Sequence, residues 1–403
     1  MGFSQELFKL PLMDLVEQSL ATDEGAFEQA LSGMGSSLER FAALLSPVGG
    51  SHLEALARRS SSLTRQRFGK VMRFFAPLYL SNECVNNCKY CGFSRDNPIF
   101  RVTLSVDDVI REARELQARG FRHLLLVSGE HPKLASNSYI AECLRALRND
   151  VPSLALEVGP MEVEDYRVCV ASGAEALVIY QETYDPEVYR EVHTAGPKKD
   201  FSWRLDTPER AYEAGFRRLG IGALHGLSDW RYEALAVAAH ALHLQKYCWK
   251  SQITISVPRL RPHAGEFQPM THLSDRELVQ FVCAVRLLLP DVGIVLSTRE
   301  RAALRNGLIP LGITHLSAGS HTEPGGYTGA GREKLHVTRR GKMQSLFGDS
   351  DASETAVETC AQATGQFDIA DERSSEEVAD FVRRMGFEVV WKDWDGSILN
   401  SSE

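Results

Sequence analysis

Three cysteines, Cys84, Cys88 and Cys91, stand together in the stretch SNECVNNCKYCGFS, and the next cysteine is Cys143. Thiolates are soft ligands suited to iron–sulfur clusters and to zinc. A [4Fe–4S] cube usually takes four cysteines, so three leave one iron open to an exogenous ligand, and a small molecule can be activated there. A structural zinc needs a fourth ligand, and the spacing is not that of a paired zinc knuckle. A zinc-stabilised scaffold that only binds a partner therefore stands as the non-enzymatic alternative. Cys143, Cys169, Cys248, Cys283 and Cys360 are scattered and are expected as small buried apolar residues. Eight cysteines in 403 residues are too few for a disulfide scaffold.

The elements that must position this loop can be read from hydrophobic periodicity. Residues 1–74 show helical spacing and form a helical extension. From residue 75 short apolar runs alternate with helical stretches. The runs are FAPLYLS, HLLLVSG, LALEVGP, ALVIYQE, RLGIGALHG, QITISVPR, IVLSTRE and HLSAGS. Helices are expected at SVDDVIREARELQARG, SDWRYEALAVAAHALHLQKY and SDRELVQFVCAVRLLL, each entered at its serine. Eight such repeats imply an α/β protein built on a closed (β/α)8 TIM-type barrel, assigned to residues 75–327. Residues 328–364 lose the periodicity and are expected as a mobile surface insertion, and residues 365–403 as a cap of one Ser-capped helix and a short strand.

Barrel sites lie at the C-terminal ends of the strands. Those ends carry polar residues that a plain barrel does not need: Ser81, Ser128–Gly129–Glu130, Glu157, Gln181–Glu182, Arg259, Arg299–Glu300, Ser317 and Ser320. The cysteine loop follows the first strand and is expected at the same mouth. A net charge of −8 gives no pull toward nucleic acid or anionic lipid, so neither is expected as a partner. The N-terminus lacks a secretory pattern and no apolar run is long enough to span a bilayer, so a cytoplasmic location is expected.

The pattern Cys-x3-Cys-x2-Cys, with Tyr90 before the last cysteine, resembles the signature of the radical S-adenosylmethionine superfamily. That resemblance implies one [4Fe–4S] cluster on Cys84, Cys88 and Cys91, with S-adenosylmethionine chelating the open iron and cleaved to a 5′-deoxyadenosyl radical. Ser128–Gly129–Glu130 resembles the family segment that meets the methionyl ammonium. Glu157 is a candidate for the ribose hydroxyls, Arg204 for the cofactor carboxylate, and Gln181 joins the cofactor group.

Longer stretches, among them PLYLSNECVNNCKYCGFS, GFRHLLLVSGEHP, YQETYDPEVY, SVPRLRP, LSTRE, SAGSHTEPGGY and VVWKDWD, are similar to those of the 2-iminoacetate synthases, the tyrosine lyases of thiamine thiazole biosynthesis. The similarity implies cleavage of the Cα–Cβ bond of L-tyrosine to 2-iminoacetate and p-cresol. It also implies a reducing electron donor such as flavodoxin or ferredoxin, and a complex with thiazole synthase. An amino acid substrate needs its carboxylate held, which a guanidinium fork does bidentately; Arg299 is the candidate, helped by Ser317 and Tyr79. The competing reading of Arg299 is an ion pair with Glu300 or Glu130. A tryptophan lyase of the 3-methyl-2-indolic acid type shares this chemistry and stays open as an alternative. The tyrosine lyase of hydrogenase maturation carries a second cysteine motif, against which only Cys360 follows Cys283 here. Trp391–Lys392–Asp393–Trp394 and the 328–364 segment are the candidates for docking thiazole synthase near the mouth.

Overall fold

Along β1 (Val71–Ser81), Met72, Phe74, Ala76 and Leu78 pack outward into the core shared with the helices, while Phe75, Pro77 and Tyr79 face the other way. Period-two alternation of this kind gives each strand one face for the helix layer and one for an enclosed interior. The computed structural model describes residues 2–33, 37–339, 342–345 and 362–391. Within them β1 is followed by β2 (His123–Ser128), β3 (Ser153–Glu157), β4 (Ala174–Val178), β5 (Arg218–Gly222), β6 (Gln252–Ser256), β7 (Gly293–Leu296) and β8 (His315–Ser317). Each pairs in parallel with the next, and β8 pairs with β1, closing the barrel. No helix of the described residues is long and apolar enough to cross a membrane.

The N-terminal helices cover the outside of two barrel helices. Gln280, buried on the helix Asp275–Leu288, donates to the carbonyls of Leu44 and Ser46, and Arg231 on the helix Trp230–Tyr247 donates to that of Leu45. Ser105 and Ser274 cap their helices in reciprocal boxes with Asp108 and Glu277, and Ser374 does so with Glu377. The expected cap at Ser228 is corrected: Asp229 accepts from the amides of Arg231 and Tyr232, because a carboxylate one residue later reaches both free N–H groups. Cys143, Cys169, Cys248 and Cys283 are buried; Cys360 lies outside the described residues.

Two expectations for the C-terminal third need correction. The strand β11 (Glu388–Val390) pairs with Val71–Arg73 at the start of β1, and Trp391 stands edge-on to Phe74 and Phe121. It is therefore half-buried at the base of the barrel, away from the mouth where a docking role was expected; Lys392, Asp393 and Trp394 lie outside the described residues. Likewise, residues 328–338 are not loose. Thr328 donates its amide to Glu112, Arg101 bridges to His336, and His336 Nε2 meets Glu83 Oε1 at 2.5 Å. A hairpin of β9 (His336–Arg339) and β10 (Lys342–Ser345) follows, and residues 340–341 and 346–361 are outside the described set. Polar anchors to a buried carboxylate and to the cysteine loop, which periodicity does not register, hold this segment.

Residues 362–373 form a strap across the mouth. Thr364 N donates to Phe100, Gln366 N to Thr322, Asp368 N to Pro262 and Ala370 N to Thr298, so one extended segment touches four loops. Its far end is fixed by a buried ion pair of Arg305 (1% exposed) with Asp371 (0% exposed). Burial pushes the Asp371 carboxyl up, but hydrogen bonds from Arg373 and the charges of Arg305 and Arg373 outweigh this and hold it below the usual range. Asp371→Asn would leave Arg305 buried and uncompensated, which costs about 3–5 kcal/mol. A loss of unfolding free energy of that order is expected in chemical denaturation, and a loss within ~0.5 kcal/mol would contradict it.

Candidate active site

The cysteine loop is built on polar anchors. Asn82 donates to the carbonyls of Phe100 (2.8 Å) and Thr364 (3.0 Å) and accepts from Val102 N. Arg101, only 1% exposed, donates to the carbonyls of Asn82 (2.7 Å), Phe93 (3.2 Å) and Ser94 (2.8 Å). The loop is thus wrapped around a buried guanidinium that gathers its backbone. Asn86 joins it to the connections after β2 and β4, donating to Glu130 Oε2 (2.7 Å) and accepting from Lys198 N (2.9 Å).

The Ser128–Gly129–Glu130 turn is stapled to this loop. Gly129 N donates to Ser81 O, and Val85 N donates to Glu130 O. A Cβ on Gly129 would stand 2.3 Å from Glu83 O and 3.3 Å from Cys84 Cβ, so only glycine lets the two backbones meet here. Cys88 is buried and Cys84 and Cys91 half-buried; burial pushes the Cys88 and Cys91 thiols up, and the neighbouring Cys84 adds to this for Cys91. Among the described residues no three His, Cys, Asp or Glu side chains converge on the position of a single metal ion. Three free thiols on one loop are the donors a [4Fe–4S] cube takes at three of its irons, so the donor set fits the cluster. Gln181 Oε1, buried with no protein partner while Nε2 donates to Phe201 O, is an acceptor that fits a bound cofactor.

Tyr79, Glu157, Arg299 and Ser317, carried on or just after four strands, line one cavity at the barrel's C-terminal end. Tyr79 donates to Gln366 Oε1 at 2.9 Å, and burial pushes its hydroxyl pKa well up, so it is a neutral phenol. Ser317 Oγ accepts from Thr298 N at 3.2 Å, leaving its own proton to be donated. The expected competitors for Arg299 are engaged elsewhere: Glu300 pairs with Arg259 and Glu130 with Asn86. Arg299 forms no ion pair among the described residues; its Cζ lies 3.3 Å from the centre of the Phe367 ring. Arg204 is buried, donating Nε to Tyr180 O (2.8 Å) and approaching Glu182 (3.4 Å), which also holds Lys198 at 2.7 Å. Ser128 bonds to the neighbouring carbonyl of Gly129 and lies near the cysteine loop rather than in the cavity.

Burial pushes the Glu157 carboxyl up to about 7, with the charge of Arg299 drawing it partly back. The unfolded chain gives up this proton near pH ~4.3, so the native state binds more protons between the two values. Stability is therefore expected to fall as pH rises through that window, and Glu157→Gln to remove this component. Parallel denaturation curves for both proteins from pH 4.5 to 7.5 would contradict the assignment.

Sequence reasoning missed Tyr180, Asn86, Lys198, Arg101, Gln366 and Phe367. Tyr180 was recoverable, since Ala176, Val178 and Tyr180 alternate onto the inner face. Gln366 and Phe367 carry no periodic signal.

The Radical SAM superfamily model matches residues 78–238, and the Biotin and Thiamin Synthesis associated domain matches residues 256–388. The 2-iminoacetate synthase of Escherichia coli (strain K12) is 41% identical over 377 residues, covering 93% of this chain and 92% of that protein. The chain belongs to the 2-iminoacetate synthase family. Membership in this radical S-adenosylmethionine family implies S-adenosylmethionine and a [4Fe–4S] cluster. Among solved structures this family member resembles HydG, a maturase of the [FeFe]-hydrogenase, with TM-score 0.80 at 29% identity over 98% of this chain and 80% of that one. HydG from Carboxydothermus hydrogenoformans superposes with TM-score 0.78 at 34% identity, over 91% and 79%.

Proposed function

We propose that this radical S-adenosylmethionine enzyme cleaves the Cα–Cβ bond of L-tyrosine to 2-iminoacetate and p-cresol for thiamine thiazole synthesis. The observation that carries the reading is Arg299, which forms no ion pair among the described residues and lines one cavity with Tyr79, Glu157 and Ser317. When bound, the cluster and S-adenosylmethionine would supply the one-electron chemistry for hydrogen-atom abstraction from the substrate.

The chain's residues do the rest. Cys84, Cys88 and Cys91 would hold three irons of the cluster. Ser128, Gly129, Glu130, Gln181 and Arg204 would bind the methionyl end of the cofactor, and Glu157 its ribose. Arg299 takes the tyrosine carboxylate through both guanidinium N–H groups, and Ser317 donates its hydroxyl to the same group. Tyr79, whose proton is committed to Gln366, walls the cavity and offers its oxygen as an acceptor. Barrel side chains and the strap keep water from the radical.

The imine product is hydrolysed by water, which favours direct transfer to thiazole synthase; the cluster takes its electron from a reducing donor of the flavodoxin or ferredoxin kind. Anaerobic incubation with S-adenosylmethionine, a reductant and either tyrosine or tryptophan tests the reading. p-Cresol from tyrosine is expected. Turnover of tryptophan alone would replace it with the indole chemistry.

A further inference from the structure

The plane of Arg299 is set from outside the barrel's strands. Its backbone N–H donates to Ser297 Oγ, and the contact that fixes its guanidinium is the Phe367 ring, stacked with Cζ 3.3 Å from the ring centre. A stacked guanidinium keeps both edges free for a carboxylate while its rotation is restricted. Bidentate recognition depends on that plane, so whatever holds the ring holds the fork.

The ring is held by the strap, and the strap by both halves of the site. Gln366 N donates to Thr322 O (2.9 Å), and Gly92 N, one residue beyond Cys91, donates to Gln366 O (3.0 Å). A Cβ on Gly92 would come within 2.6 Å of that carbonyl, so the approach of strap to cysteine loop is close. The Gln366 side chain accepts from Tyr79 and points its Nε2 toward Cys91 Sγ at 3.9 Å. Asp368 N and Ala370 N then pin the segment to Pro262 and Thr298.

We propose that Phe367 is a positioning residue for the substrate, its ring orienting Arg299 for bidentate capture of an α-amino acid carboxylate. The inference rests on Arg299 as the carboxylate clamp. Phe367 lines the same cavity, and its part in carboxylate capture is exerted through Arg299.

The test uses the reconstituted holoenzyme and Phe367→Leu, Phe367→Met and Phe367→Tyr. Leucine and methionine fill the site without a π face; tyrosine restores the face. Tyrosine binding is read from KM and, independently of turnover, from the perturbation that added tyrosine makes in the electron paramagnetic resonance spectrum of the reduced, S-adenosylmethionine-loaded cluster. The leucine and methionine variants are expected to need roughly tenfold more tyrosine in both readouts, at unchanged iron content, and the tyrosine variant to return to the parent value. Unchanged tyrosine affinity in either aliphatic variant, or equal loss in all three variants, would overturn the role of the ring. Arg299→Ala separates the two layers. If it leaves tyrosine binding intact, the clamp reading itself fails; if it weakens binding while Phe367→Leu does not, the clamp stands and the positioning role falls.

Discussion

Single replacement of Cys84, Cys88 or Cys91 by alanine is expected to abolish reductive cleavage of S-adenosylmethionine while the barrel stays folded. In the proposed ligation each thiolate serves its own iron, so no neighbour substitutes for a lost one, and Cys143, Cys169, Cys248 and Cys283 are buried far along the chain. The loop's conformation does not depend on the thiols: Asn82 and Arg101 hold its ends, and Asn86 and Gly129 hold its flank. Circular dichroism of the variants should match the parent, iron and sulfide should fall below the expected four of each per chain, and 5′-deoxyadenosine should disappear. A variant that still cleaves the cofactor would remove that cysteine from the ligand set, and one bound zinc with no iron after anaerobic reconstitution would remove the cluster.

Arg299→Lys is expected to uncouple the two half-reactions. Lysine keeps the charge and loses both the planar fork and the flat face that stacks on Phe367. Tyrosine would then sit misaligned, and a displacement of ~1 Å costs about 100-fold in rate. Arg299 shares the cavity with Glu157 and Tyr79 but is absent from the anchors of the cysteine loop, so cofactor cleavage should persist. p-Cresol formed per 5′-deoxyadenosine is the measurement. An unchanged ratio would place the carboxylate elsewhere.

Much of the site was legible because a barrel strand obeys a period of two. The alternation that buries Phe74 and Leu78 outward sends Phe75 and Tyr79 inward, and the same count brings Glu157, Arg299 and Ser317 to the mouth. Loop geometry has no such rule. Glu182 adopts a left-handed backbone (φ 73°) just after β4 and ties Lys198 to Arg204, a pairing that no spacing announces. The strap read as the seam between an insertion and a cap, because an extended segment held by single hydrogen bonds to four loops has no hydrophobic period.

The sequence by itself determined the three-cysteine motif, the order of eight strands and helices, and the polar residues at the strand ends, since each is a local pattern of side-chain type and spacing. Tertiary structure alone decided what those residues are free to do. It gave Glu300 to Arg259 and Glu130 to Asn86, stacked Arg299 on Phe367 from a segment 68 positions later in the chain, and sent Trp391 to the base of the barrel. Charges and rings choose partners by distance in space, and closing the barrel brings distant parts of the chain together.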